Sequence, residues 1–534
     1  MVRPVAQISC WIAEKLPDGY NPPGFHANAS LEGKASRHNS QNFVDFPLYP
    51  GQKITIGRDH HENDISVNHP YISRNHFVVY SVIFDSDDVN QPPMIYVRDC
   101  QSLGGTFVDG NCIGNKEQGP SAGYFISRDV VVNVEPYWKF RVSLLDHSGL
   151  KTPLNAIQLK ESNLFKHRYI ITNRTLGSGT FASVHLALNV ETGRQIACKI
   201  HDLDRLRRFP DSEDMIRRFV HETDILGKLR HPNLPTLEYA FSSAHTLYTF
   251  TELATGGDLF SMRQARGVFE ETDCKFIIQQ IVNALRYLHK GNVAHRDLKP
   301  ENVLFVTGPN IISRIIVGDL GFARSRASGR MASRVGTKQY MAPEIEIGHA
   351  HDLAVDIWSL GMIAVFLLAP DHNVAPSSLM EMSQVAVDQW LNSVFRDPSC
   401  QKISEHCEDF IRTCLVFEPG RRMKSSEAKS HPWFQQNPDK EKFKYLLAEN
   451  AKTWKPTHFI APPVQELPEM ENSDHGDDHD DIIPSPTTTI KRSKRRPVET
   501  SSATDYSQMS PYFAELRPST SKRLKTSNLE HEGH

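Results

Sequence analysis

The sequence predicts a multidomain chain in which an all-β sandwich is followed by a larger α+β domain and then by a disordered tail. Between residues 46 and 145, short apolar runs are separated by Gly, Asn and Asp turns, which is typical of a β-sandwich. Between residues 169 and 435, strand-like runs are followed by strongly apolar helical segments. From residue 436 to 534, charge, Pro, Ser and Thr dominate, and a packed core is not expected there.

The composition agrees with an intracellular, multidomain protein that has folded and disordered parts. The 534 residues provide room for two or three domains, and a hydrophobic fraction of 39% is low for a fully globular chain. The net charge of -3 favours no class of partner, and the 8 cysteines show no CxxC pattern, so we expect reduced thiols. The N-terminus lacks a signal-peptide pattern, and the longest apolar run, 362–369, is too short to cross a bilayer. We therefore expect a soluble protein without a membrane partner.

Residues 1–45 show no periodicity and are expected to be mostly irregular, with at most one short strand near residues 7–12. The sandwich that follows should carry three strings in its loops. They are Gly57-Arg58, Ser-Arg-Asn-His at 73–76 and Ser-Leu-Gly-Gly-Thr-Phe at 102–107. These strings resemble the forkhead-associated (FHA) domain, a module that binds phosphothreonine peptides.

The resemblance implies a phosphopeptide site. Arg58 and Ser73 would bind the phosphate, because an arginine and a hydroxyl group are suitable donors for it. Arg74 would add positive charge, and His76 would support the loop from beneath. Gly104 stands where most FHA domains have an Asn that holds the peptide backbone, so the affinity and the peptide motif stay open. Taken singly, Arg58 is also compatible with an ordinary loop arginine and Ser73 with a turn former.

Residues 146–168 are expected to form a polar linker, and five strings in a fixed order follow it. They are a glycine-rich loop at 176–184, a lysine inside an apolar strand at 195–200, His-Arg-Asp-Leu-Lys-Pro-Glu-Asn at 295–302, Asp-Leu-Gly at 319–321 and Met-Ala-Pro-Glu at 341–344. This order and spacing resemble the protein kinases. The resemblance implies a two-lobed α+β protein kinase fold over residues 169–435 that uses ATP and Mg2+.

The residue types of the third and fourth strings suit phosphoryl transfer. The reaction needs a carboxylate that orients the attacking hydroxyl and accepts its proton, and Asp297 suits this role. It also needs hard oxygen ligands that hold magnesium against the phosphates, and Asn302 and Asp319 suit this role. Lys299 can reach the transferring phosphate and offset its charge.

The resemblance also implies an ATP pocket. Lys199 would contact the α- and β-phosphates and form an ion pair with Glu222 on the helix predicted at 214–230, because a lysine among apolar residues needs anionic partners. Glu252 and Leu253 would form the hinge whose backbone bonds adenine. The other expected pocket residues are Leu176, Gly177, Gly179, Val184, Ala197, Asp258 and Leu304.

Two carboxylates are expected beside the peptide groove. Asp258 and Glu301 would favour substrates with basic residues, above all arginine, a few positions before the target hydroxyl. Either acid is also compatible with a solvated position. Lys299 together with Thr337 resembles the serine/threonine class of kinases rather than the tyrosine class.

The activation segment, 322–339, offers candidate phosphorylation sites. In kinases with an arginine at the position of Arg296, a phosphate on this segment orders the loop. The candidates are Ser325, Ser328, Ser333 and Thr337. Thr337 is better suited to positioning Asp297 and Lys299, so the upstream serines are preferred.

Three further residues are expected to be structural. Asp356 should brace the backbone of the catalytic loop, and Arg422 should be the buried partner of Glu344. Leu320 replaces the phenylalanine that is more frequent in its motif and should still fill an apolar slot.

The predicted tail contains two charged segments. The acidic stretch 474–481 includes His475 and His479, but a solvated flexible run is favoured over a metal site there. The basic run 491–496 fits a nuclear import signal, with nonspecific nucleic-acid contact as the alternative. We therefore expect a nuclear protein that can shuttle with the cytoplasm and has no specific nucleic-acid partner.

The combination of a phosphothreonine reader, a kinase and a basic tail resembles the nuclear checkpoint effector kinases, which include DNA-damage, replication and fungal meiotic kinases. It implies recruitment by a phosphothreonine-containing adaptor and transient self-association. Ser-Gln pairs at 40–41 and 507–508 fit the preference of damage-sensing kinases, but without a dense N-terminal cluster the mitotic or meiotic setting stays open. Two alternatives remain: a catalytically silent scaffold that reads phosphothreonine, and a kinase whose FHA-like module only mediates protein contacts.

Overall fold

One compact unit, Met1–Glu469, contains both predicted domains. The computed structural model describes residues 3–12, 25–27, 36–37, 44–83, 93–119, 121–134, 138–145, 153–178, 182–209, 212–308, 312–321, 324–325, 338–346, 352–370, 383–397, 403–435, 440–452, 454 and 464–468. The acidic stretch and the basic run of the tail lie outside these residues. No helix among the described residues is both long enough and apolar enough to span a membrane.

The first domain is a sandwich of two mainly antiparallel sheets. Its strands are β1 (Ala6–Ile12), β2 (Phe25–Ala27), β3 (Ser36–Arg37), β4 (Val44–Leu48), β5 (Lys53–Gly57), β6 (Ile65–Val67), β7 (Phe77–Val82), β8 (Met94–Asp99), β9 (Thr106–Val108), β10 (Asn111–Gly114), β11 (Tyr124–Ile126), β12 (Val130–Val134) and β13 (Trp138–Leu144). One sheet has the order β10-β9-β12-β13-β1-β4-β3 and the other β11-β8-β7-β5-β6-β2. Side chains such as Ile8, Phe46, Val79 and Phe140 meet between them in one core.

Strand β1 is the short strand that the sequence predicts near residues 7–12, but it belongs to the sandwich. It lies between β13 and β4 in the middle of its sheet. Ala6, Ile8 and Cys10 alternate along it and are fully buried. The sandwich therefore includes part of the N-terminal segment that was expected to be mostly irregular. A seven-residue strand gives little periodic signal by itself, and its partners are distant in sequence.

The second domain begins with a small lobe built on an antiparallel sheet. Its strands are β14 (Tyr169–Ser178), β15 (Ala182–Asn189), β16 (Gln195–Asp202), β17 (Leu237–Ser242) and β18 (Thr246–Glu252), in the order β14-β15-β16-β18-β17. A short helix, α2 (Leu203–Leu206), and a long one, α3 (Ser212–Lys228), follow β16. Helix α3 corresponds to the helix predicted at 214–230, and it turns Leu226 and Glu222 toward the interior.

The large lobe is mainly helical. Its helices are α4 (Leu259–Arg266), α5 (Glu271–Lys290), α6 (Pro343–Glu346), α7 (Ala354–Leu368), α8 (Gln384–Arg396), α9 (Glu405–Cys414), α10 (Ser425–Ser430) and α11 (Pro432–Gln435). Two pairs of antiparallel strands lie at the cleft side. Strand β19 (Val293–Ala294) pairs with β22 (Arg324–Ser325), and β20 (Val303–Phe305) pairs with β21 (Ile315–Val317). Helices α5 and α7 pack in the largest apolar cluster, in which Leu320 fills a buried apolar position, as predicted.

The predicted polar linker contains a helix, α1 (Ala156–Phe165), which differs from the expectation for residues 146–168. Asn155 starts it with a capping box that it shares with Gln158. At its end, Phe165 is buried and stacks on Phe241, with 4.3 Å between the ring centroids. Glu161 accepts a hydrogen bond of 2.8 Å from the buried hydroxyl of Tyr248. The isoleucine and both leucines of α1 are exposed, so its packing depends on this single aromatic anchor.

The chain also remains regular beyond residue 435, where the sequence predicts loss of order. Helix α12 (Lys440–Lys452) places Phe443 against Phe276, and strand β23 (Val464–Glu466) adds to β17 in parallel. Between them, the indole of Trp454 donates a hydrogen bond of 3.0 Å to the hydroxyl of Thr236. The segment thus links the large lobe to the sheet of the small lobe. Each of its anchors meets a partner far along the chain, which hides this role in the sequence.

The sheet that contains β7 and β8 is buried on both faces. Phe77 and Val79 point into the sandwich core, while Val78 and Tyr80 point outward. The outward side chains share a second apolar cluster with Leu253 of the second domain. The two domains are therefore packed against each other through the outer face of this sheet.

We predict that Phe443→Ala lowers the free energy of unfolding by about 3 kcal/mol, because it removes a buried ring from its contact with Phe276. Urea unfolding of the full chain, followed by circular dichroism, measures this change. Tyr445→Ala is the matched control, since Tyr445 lies on the same helix and is 64% exposed, and a change below about 0.5 kcal/mol is expected. Equal losses in both variants would contradict a packing role for α12.

Candidate functional site

Lys199 is the centre of a charged cluster at the cleft between the lobes. Its ammonium group lies 3.3 Å from Glu222 on α3 and 3.5 Å from Asp319, so the predicted ion pair with Glu222 is present. Burial opposes the positive charge, but the two carboxylates outweigh it and raise the pKa of Lys199. The charge of Lys199 in turn holds the pKa of Asp319 below its usual range, whereas burial raises the pKa of Glu222. The cluster ties the sheet, the helix and the Asp-Leu-Gly loop together.

The catalytic-loop residues form a second, adjoining group. Asp297 is 5% exposed, and its carboxylate lies 3.0 Å from the ammonium of Lys299. The side-chain amide of Asn302 donates to the carbonyl of Asp297 at 2.8 Å and to its carboxylate at 3.1 Å. Asp297 is thereby held in one orientation with a cation beside it. This arrangement suits a base that accepts a proton from a substrate hydroxyl.

Backbone hydrogen bonds join the catalytic loop to the loop that carries Asp319. The N–H of Gly318 donates to the carbonyl of Asn302 at 2.7 Å, and the carbonyl of Gly318 accepts from the ring of His295 at 2.9 Å. Asp319 and Arg296 both have positive φ angles, 57° and 71°, which non-glycine residues rarely adopt. The backbone is therefore strained at these two residues, and the surrounding contacts hold them in this conformation.

Asp356, at the start of α7, braces the catalytic loop as predicted. Its carboxylate is fully buried and accepts the backbone N–H groups of His295 and Arg296, each at 2.8 Å. The ring of His289 lies 2.8 Å from the same carboxylate. Burial disfavours the charged form, but the hydrogen bond from His289 and the neighbouring donors outweigh it and lower the pKa of Asp356.

The predicted adenine pocket is lined by apolar side chains from both lobes. Leu176 and Ala197 pack against the apolar cluster that contains Leu253, and Leu304 lies on β20. Val184 is paired with Lys199 in the sheet. Among the described residues, no atom lies within 4 Å of a Cβ added to Gly177, so the backbone there leaves space for a ligand. Gly179 lies outside the described residues.

Glu252 turns its side chain away from the pocket. Its carboxylate forms an ion pair with the buried guanidinium of Arg314. The carboxylate of Glu252 is thus engaged by Arg314, which agrees with a hinge that would bind adenine through main-chain groups.

Asp258 is the N-cap of helix α4 and is less open to the cleft than the sequence suggests. Its carboxylate accepts hydrogen bonds from the N–H and the hydroxyl of Ser261, at 2.7 and 2.9 Å. The residue is 6% exposed, and burial raises its pKa to about 6. Its predicted contacts with ribose or a basic substrate residue stay predictions.

The donor set fits a magnesium-bound nucleotide. Asp319 is 45% exposed, and its lowered pKa keeps it ionised near neutral pH. Asn302 turns its amide nitrogen toward Asp297, which leaves the amide oxygen for a cation. One carboxylate and one amide oxygen are ligands that Mg2+ accepts when phosphates and water complete its shell. Lys199 supplies positive charge for the phosphates next to them.

Less of the activation segment is described. Ser328, Ser333 and Thr337 lie outside the described residues, and Ser325 is located only as a backbone position of β22, opposite Val293. Just after the segment, Glu344 forms the predicted buried ion pair with Arg422 at 2.7 Å. The candidate phosphorylation sites therefore stay predictions.

The FHA-like loops of the sandwich meet as predicted. The N–H of Arg58 donates to the carbonyl of Ser73 at 2.8 Å, and the Ser73 hydroxyl accepts the N–H of Leu103 at 3.0 Å. His76 is fully buried below them, where it accepts the N–H of Ser73 at 3.1 Å and lies 3.2 Å from the carbonyl of Gly105. Arg58 is exposed and available for a ligand.

One residue of this site, Asn63, was missed by sequence reasoning. Asn63 is buried and donates to the carbonyl of Arg74 and to that of Asp59, each at 2.7 Å, and thereby fixes the loop. Gly57 leaves no room for a Cβ, because the Arg74 carbonyl and Asn63 occupy the space. Asp59 also pairs with Arg74 at 3.3 Å, so part of the positive charge of Arg74 is already offset. The motif strings alone do not reveal these cross-loop contacts.

Comparison with known proteins agrees with both domains. A protein kinase domain family model matches residues 170–434, and an FHA domain model matches residues 54–120. The meiosis-specific serine/threonine-protein kinase mek1 of Schizosaccharomyces pombe is 35% identical over 379 residues, which is 68% of this chain and 77% of the relative. The meiosis-specific serine/threonine-protein kinase MEK1 of Saccharomyces cerevisiae is 28% identical over 471 residues, 81% and 89% of the two chains. The calcium/calmodulin-dependent protein kinase type I of S. pombe is 32% identical over 293 residues, 54% and 84% of the two chains.

We predict that Glu222→Gln lowers kcat/KM for phosphate transfer from ATP to a serine peptide by about 10- to 100-fold. The substitution keeps the shape of the side chain but removes the charge that holds Lys199. Steady-state kinetics of the full chain measure the effect. Glu213→Gln on the same helix is the control, because that side chain is 89% exposed, and its kinetics should match the wild type. A Glu222→Gln variant with wild-type kinetics would show that the ion pair is not needed.

Proposed function

The chain belongs to the FHA-domain-containing serine/threonine protein kinases, and from this premise we propose that its FHA domain recruits it to phosphothreonine-containing proteins in a checkpoint pathway. The pathway is a DNA-damage, replication or meiotic recombination checkpoint. The two relatives that match over 379 and 471 residues are named as meiosis-specific kinases, which supports the meiotic setting. The observation that carries the proposal is the joint presence of an assembled kinase centre and an exposed Arg58 beside Ser73 in one compact unit.

The proposed catalytic roles follow from the contacts at the cleft. Asp297 orients the substrate hydroxyl and accepts its proton, and Lys299 beside it offsets negative charge on the transferring phosphate. Asn302 and Asp319 hold Mg2+, and Lys199, kept in place by Glu222, binds the phosphates of ATP. When bound, the metal neutralises charge that develops between the phosphates. These assembled contacts speak against the catalytically silent scaffold.

The proposed role of the FHA domain is to concentrate kinase chains on a phosphorylated adaptor. Binding at Arg58 and Ser73 would bring several copies together, and the raised local concentration would favour phosphorylation of one activation segment by a neighbouring chain. The upstream serines of the segment are the proposed targets. This role requires only transient self-association.

We further propose that the protein is nuclear. The basic run 491–496 supports this proposal, since clusters of Lys and Arg of this length serve as import signals. The charge pattern of the cluster is the only support for it.

We predict that a bivalent phosphothreonine peptide, one molecule with two binding copies, speeds up autophosphorylation of the dephosphorylated chain by about tenfold or more, because it raises the effective concentration of paired chains. Incorporation of radioactive phosphate from ATP and phosphosite mapping measure the effect, with Asp297→Ala as the inactive reference. Arg58→Ala should remove the stimulation by the bivalent peptide.

Three controls make this experiment specific. The monovalent phosphopeptide and the unphosphorylated bivalent peptide should not stimulate the wild type. Arg128→Ala should respond like the wild type, because Arg128 lies on the same domain but pairs with Asp109 away from the phosphate loops. Equal stimulation by phosphorylated and plain bivalent peptides would contradict phosphothreonine reading and favour a domain that only mediates protein contacts.

We predict that KM for a peptide with arginine before the target serine falls by about 5- to 10-fold as the pH rises from about 5 to about 7. The pKa of Asp258 is raised to about 6 by burial, so its carboxyl group is neutral below that pH and attracts a cation only above it. Initial rates over this pH range, at saturating ATP, measure KM.

Asp258→Asn should raise KM at pH 7 and flatten the pH dependence, while a peptide with glutamine in place of arginine should show no such dependence with the wild type. Glu301→Gln tests the second acid separately. A pH dependence that persists in Asp258→Asn would assign it to another group.

A further inference from the structure

The outer face of the FHA sheet is built to contact the kinase domain. Strands β7, β8 and β11 alternate between side chains that enter the sandwich core and side chains that leave it. The outward set forms an aromatic stack: Tyr80 and Tyr96 lie 5.4 Å apart in stacked orientation, and Phe125 meets Tyr96 edge-on at 5.5 Å. All three rings are nearly or fully buried. Such a face in contact with water would be unfavourable, so the docked arrangement is its stable state.

The aromatic face contacts the walls of the adenine pocket. It shares one apolar cluster with Leu186 and Leu253, and the pocket residues Leu176 and Ala197 pack against the same cluster. The guanidinium of Arg174, on the strand that carries Leu176, lies 5.2 Å from the centre of the Phe125 ring. The FHA domain thus lies directly behind residues that were predicted to hold adenine.

A buried hydroxyl pair ties the FHA domain to the segment after the hinge. The hydroxyl of Tyr80 donates to that of Thr255 at 3.0 Å, and the N–H of Gly123 donates to the same oxygen at 3.1 Å. Thr255 in turn contacts the segment after β20: its hydroxyl and its N–H both donate to the carbonyl of Val306, at 3.0 and 3.1 Å. Strand β20, which ends just before Val306, begins directly after Asn302. One chain of hydrogen bonds therefore runs from the FHA sheet to the floor of the ATP site.

A second tie reaches the small lobe. The side-chain amide of Gln195 exchanges two hydrogen bonds with the backbone of Phe125, accepting its N–H at 2.6 Å and donating to its carbonyl at 3.1 Å. Gln195 begins β16, the strand that carries Ala197 and Lys199. The FHA domain therefore holds both lobes, one through Gln195 and the other through Thr255 and β20.

The close fit also appears on the kinase side. A Cβ added to Gly308 would lie 2.5 Å from the ring of Tyr80, and one added to Gly257 would lie 2.8 Å from Val82. The glycines at these two positions allow the aromatic face to approach the hinge segment and the loop after β20. A larger side chain at Gly308 would push the FHA domain away.

We propose that the FHA face formed by β7, β8 and β11 is a positioning element for ATP binding, in which Tyr80 and Gln195 hold the hinge, the Lys199 strand and β20 at the spacing that the nucleotide needs. The Lys199–Glu222 and Lys199–Asp319 contacts are present while the face is docked, so docking is compatible with the assembled centre and supports it. The FHA domain then has two functions, reading phosphothreonine at one end and shaping the ATP pocket with its sheet face. This inference rests on the kinase chemistry proposed above.

The experiment uses the full chain after activation with Mg-ATP. Tyr80→Phe removes only the hydroxyl that meets Thr255, and Gln195→Glu replaces the amide donor that meets Phe125. Loss of one buried hydrogen bond should raise KM for ATP by roughly 3- to 10-fold in each variant, with kcat and peptide KM within about twofold of the wild type. The dissociation constant of a fluorescent ADP analogue, measured without turnover, should rise by the same factor.

Tyr124→Phe is the matched control. Tyr124 lies on β11 next to Phe125, but its ring packs toward the sandwich core, so the loss of its hydroxyl should leave KM for ATP unchanged. Thermal unfolding and binding of a phosphothreonine peptide verify that each variant is folded. If Tyr80→Phe yields too little folded protein, Gln195→Glu reports on the same docking from the kinase domain.

The outcomes separate this inference from the proposed function. Higher KM for ATP and weaker analogue binding in both variants, but not in Tyr124→Phe, would support the positioning role. Unchanged or lower values in active variants would overturn it and leave the kinase function intact. A wild-type chain that transfers no phosphate would instead count against the proposed function itself.

Discussion

The partly buried ammonium group of Lys199 is the centre of the interaction on which the functional structure depends. A cation at this depth is unfavourable unless carboxylates accompany it, and Glu222 and Asp319 come from two other parts of the chain. For both contacts to form, β16 must lie beside α3, and the Asp-Leu-Gly loop of the large lobe must lie beside β16. A fold that separated these elements would leave one of the three charges alone. The need to compensate these charges therefore explains why the three residues lie together at one side of the cleft.

The large lobe meets a similar demand with Asp356. This carboxylate is fully buried, and it is compensated by two backbone N–H groups of the catalytic loop and by His289. The backbone of Arg296 is held in a strained conformation by these bonds. In this conformation, the next residue, Asp297, lies beside Lys299 and Asn302. A rigid helix start therefore helps to determine where the carboxylate of Asp297, the proposed catalytic base, lies.

The sequence reveals the parts of this protein whose chemistry is local. Asp297, Lys299 and Asn302 stand within one loop, and the glycine and arginine of the phosphopeptide loop are adjacent, so short strings were sufficient to predict them. Helix α1, helix α12 and strand β23 were missed because each is anchored by one or two residues to partners far along the chain, as Phe165 is to Phe241. Asn63 was missed for the same reason, since it fixes the loop only through hydrogen bonds to the carbonyls of Asp59 and Arg74.

The contact between the FHA sheet and the kinase domain was also missed, although the sequence of β7 indicates it. An antiparallel sheet with one face in water should show alternation, but β7 reads Phe-Val-Val-Tyr-Ser-Val and is buried at all six positions. A continuous apolar strand of this kind needs a cover on its second face. That strand begins one residue after His76, which supports the phosphate loop, and it carries Tyr80, which reaches Thr255. The strand that directly follows the FHA-like loop at 73–76 therefore also carries the tyrosine that contacts the segment after the hinge.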